Sequence, residues 1–519
     1  MSRSFVSVRD TSSSPNLCSF EHCLTSGYAD DGGMFLPYKL PNINDENIDW
    51  SELSHQQTLA NILSLLISSE EIGLNELSII SNQCYQNFNE NGQSLRLQHF
   101  DRPFDGFNNK LCSILELWHG PTLTFKDIAL APLAALLQHF TKKQYKNENS
   151  LLNIVVGTSG DTGSAAIEAV KSLNNIHITV LYPSNNRISL IQEYQMIGVN
   201  SPNVTVIGVD GSSDDLDIPI KEIFDDLKFK STYNLCSINS INIVRILCQC
   251  AHIIYTINQM KLINNNKLIS LSVPSGAIGH LVAVIMCKRM GLEIDRICVA
   301  CNLNGIISDF IQTGIYRPSK SCQRTESCAI DIGAPYNIER LIYLIQPTFH
   351  SHQQKASRVC EAIKEIELLG EFHCNQNEKN EMLALGLYSY TVNDNETLSM
   401  IQSIYSSHNY LIDPHTAVGM VAVKRKLVDN DNSIVCLSTA HPAKFIDSLI
   451  KATNLNADYW NNLFTNSEYK NVRNLFQLVE NINQNKISIK RNIWTSDENW
   501  TNKLKETIIE QSTKRINKE

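Results

Sequence analysis

Between about residues 111 and 445 the chain repeats one pattern: a short apolar run, a glycine-rich turn, then a longer stretch with apolar positions at helical spacing. LLNIVV runs into GTSGDTG and SAAIEAVKSL, and LISLSV runs into PSGAIG and HLVAVIMCKRM. IHITVLYP and NVTVIGV read as further buried strands. Strand, turn and helix in repetition predict a parallel α/β sheet. Ligands of such sheets bind at the carboxyl ends of strands, where these glycine turns lie.

The flanks read differently. Up to about residue 105, LANILSLLISSEEIG and ELSIISNQCYQNF carry helical spacing around a turn-rich piece, GYADDGGMFLP, and predict a separate helical N-terminal domain. From about 456, NLFQLVENINQNKISIKRN and NKLKETIIEQSTKRINKE predict a polar helical extension. The division expected is therefore 1–105, 106–455 and 456–519. INNNK and HCNQNEKNE, rich in asparagine, predict surface loops, and so does the His350-Ser351-His352 stretch after its Pro-Thr turn.

Composition narrows the class. With 519 residues, 43% hydrophobic and 19% charged, the chain reads as globular, and its length predicts several domains. A net charge of -9 without a basic run excludes nucleic acid as the expected partner. AIGHLVAVIMC is too short for a membrane span. MSRSFVSVRDTSSSPN lacks a secretory core and leaves only a transit peptide open, so the expected location is cytoplasmic. Fifteen cysteines raise the question of metal, but the C-x-x-C of Cys298 and Cys301 falls in RICVAC, a predicted strand whose positions i and i+3 face opposite sides. No metal site is expected.

Two turns carry candidate chemistry. Gly157 to Gly163 (GTSGDTG) ends a strand and opens a helix, so its N–H groups favour an anion. A P-loop would place lysine where Ser164 stands, and the Rossmann spacing is absent, which demotes nucleotides. A tight turn is the plainer alternative, although Thr158, Ser159, Asp161 and Thr162 offer more polar groups than a turn needs. Pro274 to His280 (PSGAIGH) repeats the arrangement. Two cradles imply a ligand with two anionic ends, or a ligand beside a phosphorylated cofactor. Lys126, between Phe125 and the apolar run IALAPLAALL, suggests pyridoxal 5'-phosphate held as a Schiff base, since burial lowers a lysine's pKa and frees its amine. A snorkelling lysine is the alternative.

ELWHGPTLTFKD, VVGTSGDTGSAA, NSINIVRI, DPHTAVG and LSTAHPAKF, in this order, resemble the threonine synthase family, including its threonine synthase-like 2 members. The likeness runs from GYADDGGMFLP to about residue 450. It implies the tryptophan synthase β-like fold (PLP fold type II), an α/β parallel-sheet core of two subdomains. It makes Lys126 the Schiff-base lysine and Lys444 structural. Ser275, Gly276, Ala277, Ile278, Gly279 and His280 become the cofactor phosphate cradle, with Thr439 facing the pyridine nitrogen. The GTSGDTG residues Thr158, Ser159, Asp161 and Thr162 would take the substrate carboxylate, and Arg187, Asn239, Asn242 and Arg245 the substrate phosphate; Arg245 could equally be a surface or interdomain arginine.

The implied activity is that of a carbon–oxygen lyase acting on a small phosphorylated amino acid, O-phosphohomoserine, as a monomer or homodimer. Lys126 takes the Cα proton, a β proton then leaves, and phosphate is expelled from the γ carbon. Water addition at Cβ then gives threonine, while hydrolysis without it gives 2-oxobutyrate and ammonia. Two departures stand out. GAIGH replaces the family's usual G-N-F-G-D, although the like-2 proteins share the alanine, and Ser7-Val-Arg9-Asp10 replaces S-T-R-G. The altered cradle motivates a second reading, a catalytically impaired cofactor-binding homologue with a regulatory or binding role.

Overall fold

Two predominantly parallel sheets organise the chain. The computed structural model describes residues 3–516 apart from 46, 90–92, 109–111, 145–150, 185–186, 264–266, 320 and 429–431. The larger sheet has six strands in the order Leu387–Thr391, Ile294–Cys301, Ile269–Pro274, Ser433–Ser438, Cys112–Glu116 and Arg96–Gln98. All pair in parallel except Arg96–Gln98, which runs antiparallel to Cys112–Glu116. The smaller sheet is parallel throughout, in the order Ile493–Trp494, Val204–Val209, Ile176–Pro183, Leu152–Gly157 and Leu235–Cys236. Ile176–Pro183 is buried at every position, which is why its sequence is apolar without alternation. The predicted α/β core of two subdomains is present.

The helix Ile243–Ile263 packs against the helices His55–Leu66, Lys126–Gln144 and Gly279–Arg289. It is apolar on nearly every side because it is surrounded. Phe5, Phe20 and Leu59 share one continuous core with Ile253, Leu281 and Leu437. Arg340, fully buried, donates to the carbonyls of Phe35 (3.0 Å), Ser240 (2.7 Å) and Ile241 (2.5 Å). The N-terminal segment therefore packs into the common core, where the helical spacing of the sequence predicted a separate domain.

Other expectations shift as well. Arg96–Gln98 carries the large sheet across the expected boundary at 105. Beyond 456 lie the helices Ala457–Thr465, Lys470–Asn483 and Trp500–Ile516, but the QNKISIKRN part of the predicted helical tail is not helix, and Ile493–Trp494 adds a strand to the small sheet. HCNQNEKNE is largely helix: Asn375 and Glu378 form a capping box that starts Gln376–Ala384. Ser351 likewise caps His352–Leu369, so His352 opens a helix. The asparagines of INNNK lie outside the described residues. Cys298 and Cys301 pack into different core clusters, on opposite sides of their strand. Among the described residues no helix is long and apolar enough to cross a membrane.

Candidate active site

A cavity opens where the strands Leu152–Gly157 and Ile269–Pro274 end and the helix Lys126–Gln144 begins. Lys126 reaches it because Leu123 turns the chain through a left-handed conformation (φ 62°) and Phe125 N–H then bonds to Thr439 O at 2.8 Å. The lysine is 9% exposed, and its Nζ stands 4.7 Å from the Phe125 ring centroid. Burial pushes its pKa down, as do the charges of Arg245 and Lys444, against an opposing pull from Asp161.

Asp161 is the hub of the lysine network. Its Oδ2 lies 3.4 Å from Lys126 Nζ, and its Oδ1 lies 2.8 Å from Lys444 Nζ and accepts from Gln192 Nε2 at 2.9 Å. Burial favours its neutral form, but the lysines outweigh it, Lys444 most, and hold the carboxyl far below the usual range. Lys444 is fully buried and also donates to Thr122 O at 3.0 Å. The amine of Lys444 is thus committed within the protein, while Lys126 keeps one long contact and faces the cavity.

The GTSGDTG turn divides its groups. Gly157, Thr158, Ser159 and Thr162 line the cavity. Asp161 does not, and a carboxylate spent on two lysines is no receptor for another carboxylate. Thr158 Oγ1 accepts from the backbone N–H of Gly160 and Gly163, both at 3.0 Å, so part of the turn's polarity serves the turn.

Ser275 to His280 all line the cavity. Helix Gly279–Arg289 starts there without a side-chain cap, leaving first-turn N–H groups for an anion. A Cβ on Gly276 would fall 2.8 Å from Ile330 Cα, and one on Gly279 would fall 3.0 Å from Ser240 Cβ. Ile278 sits at φ 51°, a strained conformation for a β-branched residue and one that cavities of this kind concentrate. Thr439 lines the facing wall.

Around this cradle, buried polar atoms lack partners: Asn239 Oδ1, Arg245 Nε, Gln249 Oε1 and His280 Nδ1, all on cavity-lining residues. Arg245 is 3% exposed, and burial lowers its pKa to about 10, so it is a buried cation on the cavity wall and not a surface arginine. Asn242 differs from its expected role. Its amide donates to the carbonyls of Leu24 (2.9 Å) and Ser237 (3.0 Å), away from the cavity. Arg187 is exposed and lines a neighbouring depression, shared with Ser159 and Arg324.

Sequence reasoning overlooked Ser240, Gln249, Tyr336 and Asp217, which line the same cavity. Gln249 follows Arg245 by one helical turn, a signal available in NIVRILCQ. The Asp217 carboxyl is pushed up to about 7 by burial and secondarily by Asp214.

Residues 4–85 match the family model "Threonine synthase N terminus", and residues 416–487 match "Threonine synthase, C-terminal". Threonine synthase of Saccharomyces cerevisiae is 35% identical over 457 residues, covering 85% of this chain and 88% of that protein. Human threonine synthase-like 2 is 35% identical over 455 residues, covering 86% and 89%. The crystal structure of yeast threonine synthase superposes with a TM-score of 0.84 at 30% identity, covering 99% of each chain. The PLP-bound threonine synthase of Brucella melitensis gives 0.78 at 27%, covering 98% of this chain and 99% of that one. A buried cavity lysine, an uncapped glycine cradle and a likeness that runs nearly end to end agree: the chain belongs to the threonine synthase family.

Proposed function

We propose that this chain is a pyridoxal-phosphate-dependent lyase that eliminates phosphate from O-phosphohomoserine, releasing threonine or 2-oxobutyrate with ammonia. The observation that carries the reading is the opening of buried Lys126 onto the same cavity as an uncapped helix N-terminus packed too closely for side chains at its glycines. The cavity wall suits pyridoxal phosphate: an amine to bond the aldehyde, N–H groups and an orphaned imidazole nitrogen for the phosphate, and a neutral hydroxyl, Thr439, for the pyridine nitrogen. When bound, the cofactor supplies an electron sink for charge developing at the substrate's α carbon.

The chain's own residues supply the remaining functions. Lys126 Nζ, its pKa lowered by burial, takes the proton from the substrate Cα. Asp161 holds Lys126 and Lys444 on one ionised carboxylate and so fixes where that amine stands. Ser159 and Thr162, with the backbone N–H groups of their turn, orient the substrate carboxylate. Arg245 and Asn239 take the phosphate end, the guanidinium matching phosphate geometry. Arg187 draws the phosphate in from the outer depression. A cradle that keeps its strained Ile278 and its closely packed glycines argues against a decayed, purely regulatory homologue.

Both products consume one water, at Cβ for threonine or in releasing ammonia for 2-oxobutyrate. Incubation of pyridoxal-phosphate-loaded protein with O-phosphohomoserine, followed by product analysis, tests the proposal. Threonine with phosphate identifies a synthase and 2-oxobutyrate with phosphate a phospholyase; release of no phosphate refutes both.

A further inference from the structure

The helix Ile243–Ile263 is largely buried, yet Arg245, Gln249 and His252 form a polar stripe along it at i, i+4 and i+7. Each keeps one buried polar atom unpartnered. The stripe ends at His280, whose Nε2 stands 2.7 Å from His252 Nε2 with the ring planes at 85°. The other ring contact of His280 is with Phe125, stacked at 5.1 Å and 11°, next to Lys126.

Both imidazoles are neutral near pH 7. Burial, then the charge of Lys126, lowers His280 to about 3. Burial, then His280 and His55, holds His252 well below its usual value. Two neutral rings share the short contact only if one Nε2 carries a proton and the other does not. The second proton of the pair then sits on the Nδ1 of whichever ring accepts. On His252, which is fully buried, that N–H would point into the core without an acceptor. On His280 the Nδ1 is equally buried and unpartnered, but this residue, unlike His252, lines the cavity, where an anion held by the cradle can serve as the acceptor.

We propose that His252 is a positioning residue: it donates Nε2–H to His280 and thereby holds His280 in the tautomer that offers Nδ1–H to the cofactor phosphate. The proposal rests on the reading that the Ser275–His280 cradle takes that phosphate.

The full chain, labelled with 15N-histidine and loaded with pyridoxal phosphate, should show His280 protonated on Nδ1 and His252 on Nε2. Affinity of the cofactor-free protein for pyridoxal phosphate should fall roughly fivefold to tenfold in His252→Leu, as for loss of one neutral hydrogen bond. Affinity for pyridoxal, which lacks the phosphate, should not change. His252→Gln, whose amide still donates, should recover most of the loss, and its thermal midpoint controls for folding. Failure of the wild type to bind pyridoxal phosphate would refute the cofactor reading itself. Binding with His280 protonated on Nε2, or equal losses for both ligands in His252→Leu, would refute the positioning role alone.

Discussion

The two glycine turns that open on the cavity share a sequence style and differ in how their polar groups are satisfied. In the turn Gly157–Gly163, Thr158 bonds its own backbone and Asp161 is consumed by Lys444, Lys126 and Gln192. Around Ser275–His280 the neighbouring Arg245, Gln249 and His280 retain unpaired atoms and the helix start is uncapped. The first turn is chiefly a closed network that fixes a lysine. The second keeps unmet hydrogen-bonding capacity on cavity-lining residues, where we propose that the cofactor phosphate binds. Glycine content alone does not separate them; the unmet hydrogen-bonding capacity does.

The largest test lies where the two turns meet. Lys126→Ala should abolish turnover and the yellow Schiff-base absorbance of the pyridoxal-phosphate-treated protein; retention of both would transfer the role elsewhere.

Asp161→Asn should break the closed network by leaving fully buried Lys444 without its counter-charge. A loss on the order of 3–5 kcal/mol is expected in urea unfolding. A change under about 1 kcal/mol would mean that the network is not closed in solution.

A paired glycine test sharpens the contrast. Gly276→Ala puts a methyl 2.8 Å from Ile330 Cα and should weaken pyridoxal-phosphate binding by about tenfold or more in a titration. Gly160→Ala, at φ 139°, should instead appear in the thermal midpoint. If both act alike, the distinction drawn between the turns fails.

The smallest expected effect concerns Asp217. Its folded pKa is raised from 3.8 to about 7, so the folded state holds the proton more tightly and gains stability below the unfolded pKa. That contribution fades as pH rises through about 7. The wild type should therefore lose thermal stability relative to Asp217→Asn between pH 4 and pH 7, by roughly a degree or two. A parallel pair of melting curves would remove Asp217 from the cavity's electrostatics.

Much of this arrangement is readable from residues in order. The strands announce themselves as apolar runs because both faces are covered, and the cradles as glycine turns between strand and helix. The helix after Asn375 is harder, since its capping box hides in an asparagine-rich stretch that resembles a loop. The boundary near 105 is not readable at all, because a shared core depends on which distant residues meet. Asn242 has the right type for a binding residue, yet Leu24 O and Ser237 O take its amide. The polar stripe of Arg245, Gln249 and His252 is visible as a spacing, but only packing decides which of its atoms remain unpaired.

The strand Ile493–Trp494 carries a consequence for synthesis. It covers the outer edge of Val204–Val209, pairing Ile493 with Gly208 and Trp494 with Val209. While the chain emerges from the ribosome, that edge stays bare until Ile493 and Trp494, far downstream of it, have been made. The small sheet thus passes through an interval in which an unpaired strand faces solvent, open to pairing with another nascent chain.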